Sequence, residues 1–133
     1  MRSLFVALAG VLMGLQALAQ DFVPHVYLGR FPCELKQVVS LRANPDVPGQ
    51  YVLNFKKYVF NMSLVSTPSG AVRLEDPQAG AIWIQLNSKS MLMDQKRGVR
   101  LVDECQHPNQ QAMAQAMKTS PAASVLGNDE PSR

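Results

Sequence analysis

The chain has 133 residues, 47% of them hydrophobic, with 13 Lys and Arg against 10 Asp and Glu and two cysteines. That length holds one domain, and charge so nearly balanced and so scattered excludes the basic surface of a nucleic-acid-binding protein. The pairs Lys56-Lys57 and Lys96-Arg97 read as solvated turn residues.

Met1-Arg2-Ser3 places one positive charge ahead of an apolar run from Leu4 to Leu15, and Ala17-Leu18-Ala19 follows with a small-x-small pattern. The run is about a dozen residues, short of the ~20 that a spanning helix needs, so residues 1–19 read as a signal peptide cleaved after Ala19. No cysteine stands at that site to take a lipid, and no second apolar segment of spanning length follows. The expectation is a soluble periplasmic protein with no membrane anchor. In such an oxidising compartment Cys33 and Cys105 should form one disulfide, closing a loop of roughly 70 residues at a gain of about 4 kcal/mol. His25 and His107 have no metal-ligand spacing around them, so neither a metal nor another cofactor is expected.

Short alternating runs punctuated by Pro, Gly, Asn and Asp then fill the interval between the cysteines. Strands are expected at Tyr27 to Phe31 and at Leu35 to Arg42, after which Asn44-Pro45-Asp46-Val47-Pro48-Gly49 turns the chain. Gln50 to Phe55 returns. Lys56-Lys57 turns tightly into Tyr58 to Val65, where Tyr58, Phe60, Met62 and Leu64 share the face expected in the core. Beyond the loop Ser66-Thr67-Pro68-Ser69-Gly70, strands are expected at Ala71 to Glu75, Ala81 to Leu86, Lys89 to Met93 and Val99 to Cys105. Met62, Met91 and Met93 read as core filler. Seven or eight such strands predict an all-β antiparallel barrel or sandwich, residues 20–106, tied by the disulfide. Gln110 to Lys118 favours a short helix, and disorder is expected from Thr119 to Arg133.

The residues do not assemble a catalytic set. Glu75-Asp76 and Asp103-Glu104 are adjacent carboxylates, and neighbours on a strand point to opposite faces, so neither pair can flank a substrate. Ser69 lies in Pro68-Ser69-Gly70, which is neither a nucleophile elbow nor a Ser-x-x-Lys site. The expected activity is binding and not an enzymatic reaction.

From Cys33 to Cys105 the chain resembles the C-type lysozyme inhibitors, periplasmic or membrane-bound. The resemblance rests on the cysteine pair, the loop Ser69-Gly70-Ala71 with Arg73 beyond it, Trp83 in the following strand, Lys89 after it, and Cys105-Gln106. It implies a small eight-stranded antiparallel β-barrel whose partner is a C-type lysozyme. It also implies that Ser69, Gly70, Arg73 and Lys89 meet the enzyme, with the serine loop and a lysine-bearing loop entering its cleft. Lys89, Asn87 and Ser88 are alternatives for the second-loop position. A barrel that kept the fold as a non-inhibitory module of the cell envelope is the other expectation.

Overall fold

Period-2 alternation of apolar side chains governs where the strands form and which face they bury. The computed structural model describes residues 24–120. The expected signal peptide lies outside the described residues, as does the tail expected to be disordered from Thr119, except for Thr119, which is the last residue of a helix, and Ser120. The strands are β1 (Gly29–Pro32), β2 (Val38–Ala43), β3 (Gln50–Phe55), β4 (Tyr58–Val65), β5 (Val72–Asp76), β6 (Ala81–Gln85), β7 (Ser90–Asp94) and β8 (Val99–Cys105). One helix, α1 (Pro108–Thr119), follows them. Each strand pairs antiparallel with the next in chain order.

This meander curls into a nearly closed barrel, as expected, because β8 comes back beside β1. The Gln106 N–H donates to Pro32 O at 2.9 Å, and the Asp103 N–H donates to the Glu34 carboxylate at 3.1 Å. Cys33 and Cys105 are disulfide-bonded there, with their Cα atoms 3.9 Å apart. Among the described residues no helix is long and apolar enough to cross a membrane.

Trp83 sits in the core with no exposed surface, and the ring of Phe31 meets it edge-on at 5.1 Å. Val39, Leu53, Met62, Leu74, Leu92 and Val102 complete a continuous apolar interior supplied by strands all around the barrel. Each such side chain contributes about 1.5–3 kcal/mol by leaving water.

Several expectations need correction, and the first strand runs Gly29–Pro32 where the sequence predicts Tyr27 to Phe31. The second strand begins at Val38 and not at Leu35, because Leu35 and Lys36 take left-handed backbone angles, φ 54° and 57°. They belong to a tight loop in which the Cys33 N–H reaches Gln37 O at 2.8 Å, and it leaves Leu35 85% exposed. Met91 and Met93 are half-buried on the outer face: the pairing of Leu92 with Trp83 points Ser90 and Leu92 inward, and parity sends the methionines out. Tyr58, at the start of β4, is exposed, whereas Phe60 and Met62 are buried as expected.

The disulfide closes the seam at the least extensively paired point of the sheet, so its loss should be felt globally. Reduction, or the Cys33→Ser/Cys105→Ser double substitution, is expected to lower stability by about 2–5 kcal/mol. Urea unfolding followed by Trp83 fluorescence, with and without reductant, measures the shift in midpoint.

Candidate functional site

The β4–β5 loop is ordered by its own side chains. Thr67 Oγ1 donates to Ala71 O at 2.7 Å, and the Gly70 N–H donates to Thr67 O at 3.3 Å. Gly70 adopts φ 74°, a left-handed conformation that glycine takes without strain. Ser69 is left at the exposed tip, and its Oγ only weakly accepts the Ala71 N–H at 3.4 Å. Its hydroxyl proton is free to point outward.

The β6–β7 turn stands across from it. The Leu86 N–H donates to Lys89 O at 2.8 Å and brackets Asn87-Ser88. Two glutamines hold the turn from behind: Gln106 Nε2 donates to Ser88 O at 2.9 Å, and Gln110 Nε2 to Leu86 O at 2.8 Å. Between the two loops lies a groove of about 530 Å³, lined by Ser69 to Val72 on one side and Gln85 to Ser88 on the other. Pro24, His25, Tyr27 and Met117 complete its walls, and among the described residues its lining contains no Asp, Glu, Lys or Arg.

Side-chain amides position the chain ends that wall this groove. Gln85, at the last position of β6, is buried; its Oε1 accepts the Tyr27 N–H at 2.9 Å and its Nε2 donates to Tyr27 O at 2.9 Å. That amide thus pairs with the Tyr27 backbone as a neighbouring strand would. The Tyr27 ring stacks on His107 at 5.0 Å, and His25 meets it edge-on at 5.3 Å. His107 is the N-cap of α1, its Nδ1 accepting the Asn109 N–H at 3.2 Å. Fully buried Gln110 completes the capping box by accepting the His107 N–H at 2.9 Å, and it shares a further bond with Ser90 Oγ.

The expected site residues divide. Ser69 and Gly70 line the groove, as do the alternatives Asn87 and Ser88. Arg73 points along the outer face of β5, where its Nη2 lies 2.6 Å from the Glu75 carboxylate. Lys89 is turned away from the groove: its Nζ lies 2.7 Å from Glu104 and 3.4 Å from Asp103. That contact corrects the expectation that adjacent carboxylates on β8 face apart. Between the pairs Ser90–Cys105 and Leu92–Val102, β8 carries an extra residue, and Glu104 there has φ 54°, so the bulge turns both carboxylates towards one ammonium. The bond to Glu104, outweighing the cost of burial and joined by the charge of Asp103, raises the Lys89 ammonium above its usual value. Burial pushes the Asp103 carboxyl up, but the Glu104 N–H and the charges of Lys89 and Arg100 outweigh it and hold the group below the usual carboxylate value.

Sequence reasoning missed Gln85, Gln110 and Tyr27. Ser-x-x-Gln and similar capping boxes are readable signals, but a histidine in the capping position with glutamine three residues on is an uncommon form of one. Among the described residues no cluster of three or more His, Cys, Asp or Glu side chains is arranged to hold a metal ion. Comparison with protein-family models, with curated proteins and with solved structures finds no match.

Two outcomes follow from this arrangement. Gln110→Ala leaves the Leu86 carbonyl and Ser90 hydroxyl without their buried partner and should cost about 1–3 kcal/mol, with amide exchange accelerating through α1 and the β6–β7 turn. Because folding lowers the Asp103 value, the stability it confers is complete above its unfolded value of about 3.9 and is lost as pH falls through the lower folded value. Asp103→Asn should therefore melt at a lower temperature at neutral pH and lose less on acidification below about pH 4 than the parent chain, as read by thermal melts followed by circular dichroism.

Proposed function

We propose that this chain is an exported, non-enzymatic inhibitor of C-type lysozyme that engages the enzyme's cleft with the Ser69-Gly70 loop and the Asn87-Ser88 turn. The observation that carries the reading is the meeting of these two loops, from different hairpins, on opposite sides of one groove that has no Asp, Glu, Lys or Arg among its described lining residues, at the end of a disulfide-closed eight-stranded barrel. A lysozyme cleft holds one protonated carboxylic acid and one ionised carboxylate. The outward Ser69 hydroxyl can donate to or accept from such groups, and the Asn87 amide can donate to the ionised one. Each hydrogen bond to a charged group is worth about 1.5–3 kcal/mol.

In this reading the second contact belongs to Asn87 or Ser88 and not to Lys89. Freeing the Lys89 ammonium would break its bonds to Glu104 and Asp103 and leave a buried Asp103 carboxylate short of a partner. That tethering also favours the second reading, a non-inhibitory module of the cell envelope, because a free cation at the cleft is what the resemblance implies for inhibition.

Inhibition of cell-wall lysis by a C-type lysozyme separates the two. Ser69→Ala should weaken inhibition roughly five- to a hundredfold, equivalent to about 1–3 kcal/mol, with the melting temperature unchanged because the loop tip is exposed. Asn87→Ala should weaken it as well, while Lys89→Ala lowers the melting temperature and leaves inhibition within about twofold. Full lysozyme activity at micromolar concentrations of the folded, oxidised parent chain would replace the inhibitor by the non-inhibitory module.

A further inference from the structure

The basic pairs Lys56-Lys57 and Lys96-Arg97 are distant in sequence, but the meander gathers them. In an antiparallel meander alternate connections lie at the same end, so the β3–β4, β5–β6 and β7–β8 turns share the end opposite the Ser69 loop. Cross-contacts tie these turns together. Lys96 Nζ donates to Gln78 O at 2.7 Å, the Asn61 N–H donates to Asp76 Oδ2 at 3.1 Å, and Arg97 lies within electrostatic reach of Tyr58.

The β3–β4 hairpin projects from that end. Its β4 strand pairs with β5 only from Ser63 to Val65, so the stretch from Tyr58 to Asn61 runs beyond the last rung of that ladder. At the tip, the Lys56 and Lys57 ammonium groups lie 5.3 Å from the Phe55 ring centroid and 5.6 Å from that of Tyr58. Tyr58 is 47% exposed and Val59 61%. Among the described residues no carboxylate pairs with Lys56, Lys57 or Lys96; Arg97 is paired with Asp94 at 2.7 Å.

Ammonium groups without a carboxylate partner among the described residues, set around exposed aromatic and β-branched side chains, complement a surface that is anionic outside and apolar just beneath. A soluble polyanion would use the lysines and leave Val59 in water, whereas a lipid interface uses both. We infer that the β3–β4 end of the barrel docks peripherally on an anionic phospholipid surface, with Lys56, Lys57 and Lys96 at the level of the phosphates and Tyr58 and Val59 in the interface. The Ser69 loop follows the far end of β4, roughly 23 Å away by strand rise, so docking leaves the groove facing outward. The inference does not rest on the lysozyme reading.

Vesicle co-sedimentation tests it, comparing phosphatidylglycerol-containing vesicles with pure phosphatidylcholine. An apolar N-terminal segment would bind lipid by itself, so parent and variant chains are compared in the same form. The parent chain should bind the anionic vesicles, lose binding as salt rises, and bind phosphatidylcholine far less. Lys56→Gln/Lys57→Gln should lower partitioning about 25-fold, roughly fivefold per lysine, and Tyr58→Ser/Val59→Ser should lower it too. Trp83 fluorescence checks that each variant is folded. Equal partitioning of parent and lysine variant, or equal binding to both vesicle types, overturns the inference. So does lysine-dependent binding to heparin or DNA without binding to vesicles, which would assign the surface to a soluble polyanion.

Discussion

Every open β-sheet has two edges whose unpaired amides and carbonyls must be satisfied, and here the solution is to join β8 to β1. The join is short because β1 has four residues and meets β8 only near its end. A covalent bond therefore stands where a longer ladder would otherwise be needed. The bulged path of β8, seven residues against five on β7, lets that strand bend towards β1. The same bulge draws Asp103 and Glu104 around Lys89. Closing the barrel and holding that lysine away from the groove are thus consequences of one local distortion.

The groove end depends on a different device. Where the chain enters and leaves the barrel it lies outside the described strand ladders, and two glutamine side chains supply backbone-like bonds there. A primary amide carries both a donor and an acceptor, so it can pair with a peptide group as another peptide group would. Gln85 fixes the segment before β1, and Gln110 fixes both α1 and the β6–β7 turn. Nearly all the remainder of α1 is exposed, so its position rests on this polar lock more than on apolar packing.

Charge is distributed unevenly between the two ends. The groove end presents hydroxyl, amide and peptide groups without Asp, Glu, Lys or Arg among its described lining residues. The opposite end carries ammonium groups with no carboxylate partner among the described residues and a projecting hairpin with exposed apolar side chains. A net charge of +3 for the whole chain conceals this separation. The two ends of one small barrel present different kinds of surface because the meander assigns alternate turns to each.

Local sequence alone determined the strands whose alternation and turn residues agree: β3, β4 and β8 begin and end where pattern and punctuation place them, and the two cysteines pair as expected. Ser69 and Gly70 were legible as an exposed loop because proline, serine and glycine together leave few other conformations. Tertiary structure decided the rest. Which face of β7 turns inward was set by its register against Trp83, not by the hydrophobicity of Met91 and Met93. Lys89 and its two carboxylates met through a bulge that no side-chain pattern announces. Gln85 and Gln110 look like surface residues in the sequence, because glutamine is usually exposed; they are buried here because each finds partners contributed by a distant segment, and such partners exist only once the barrel has closed.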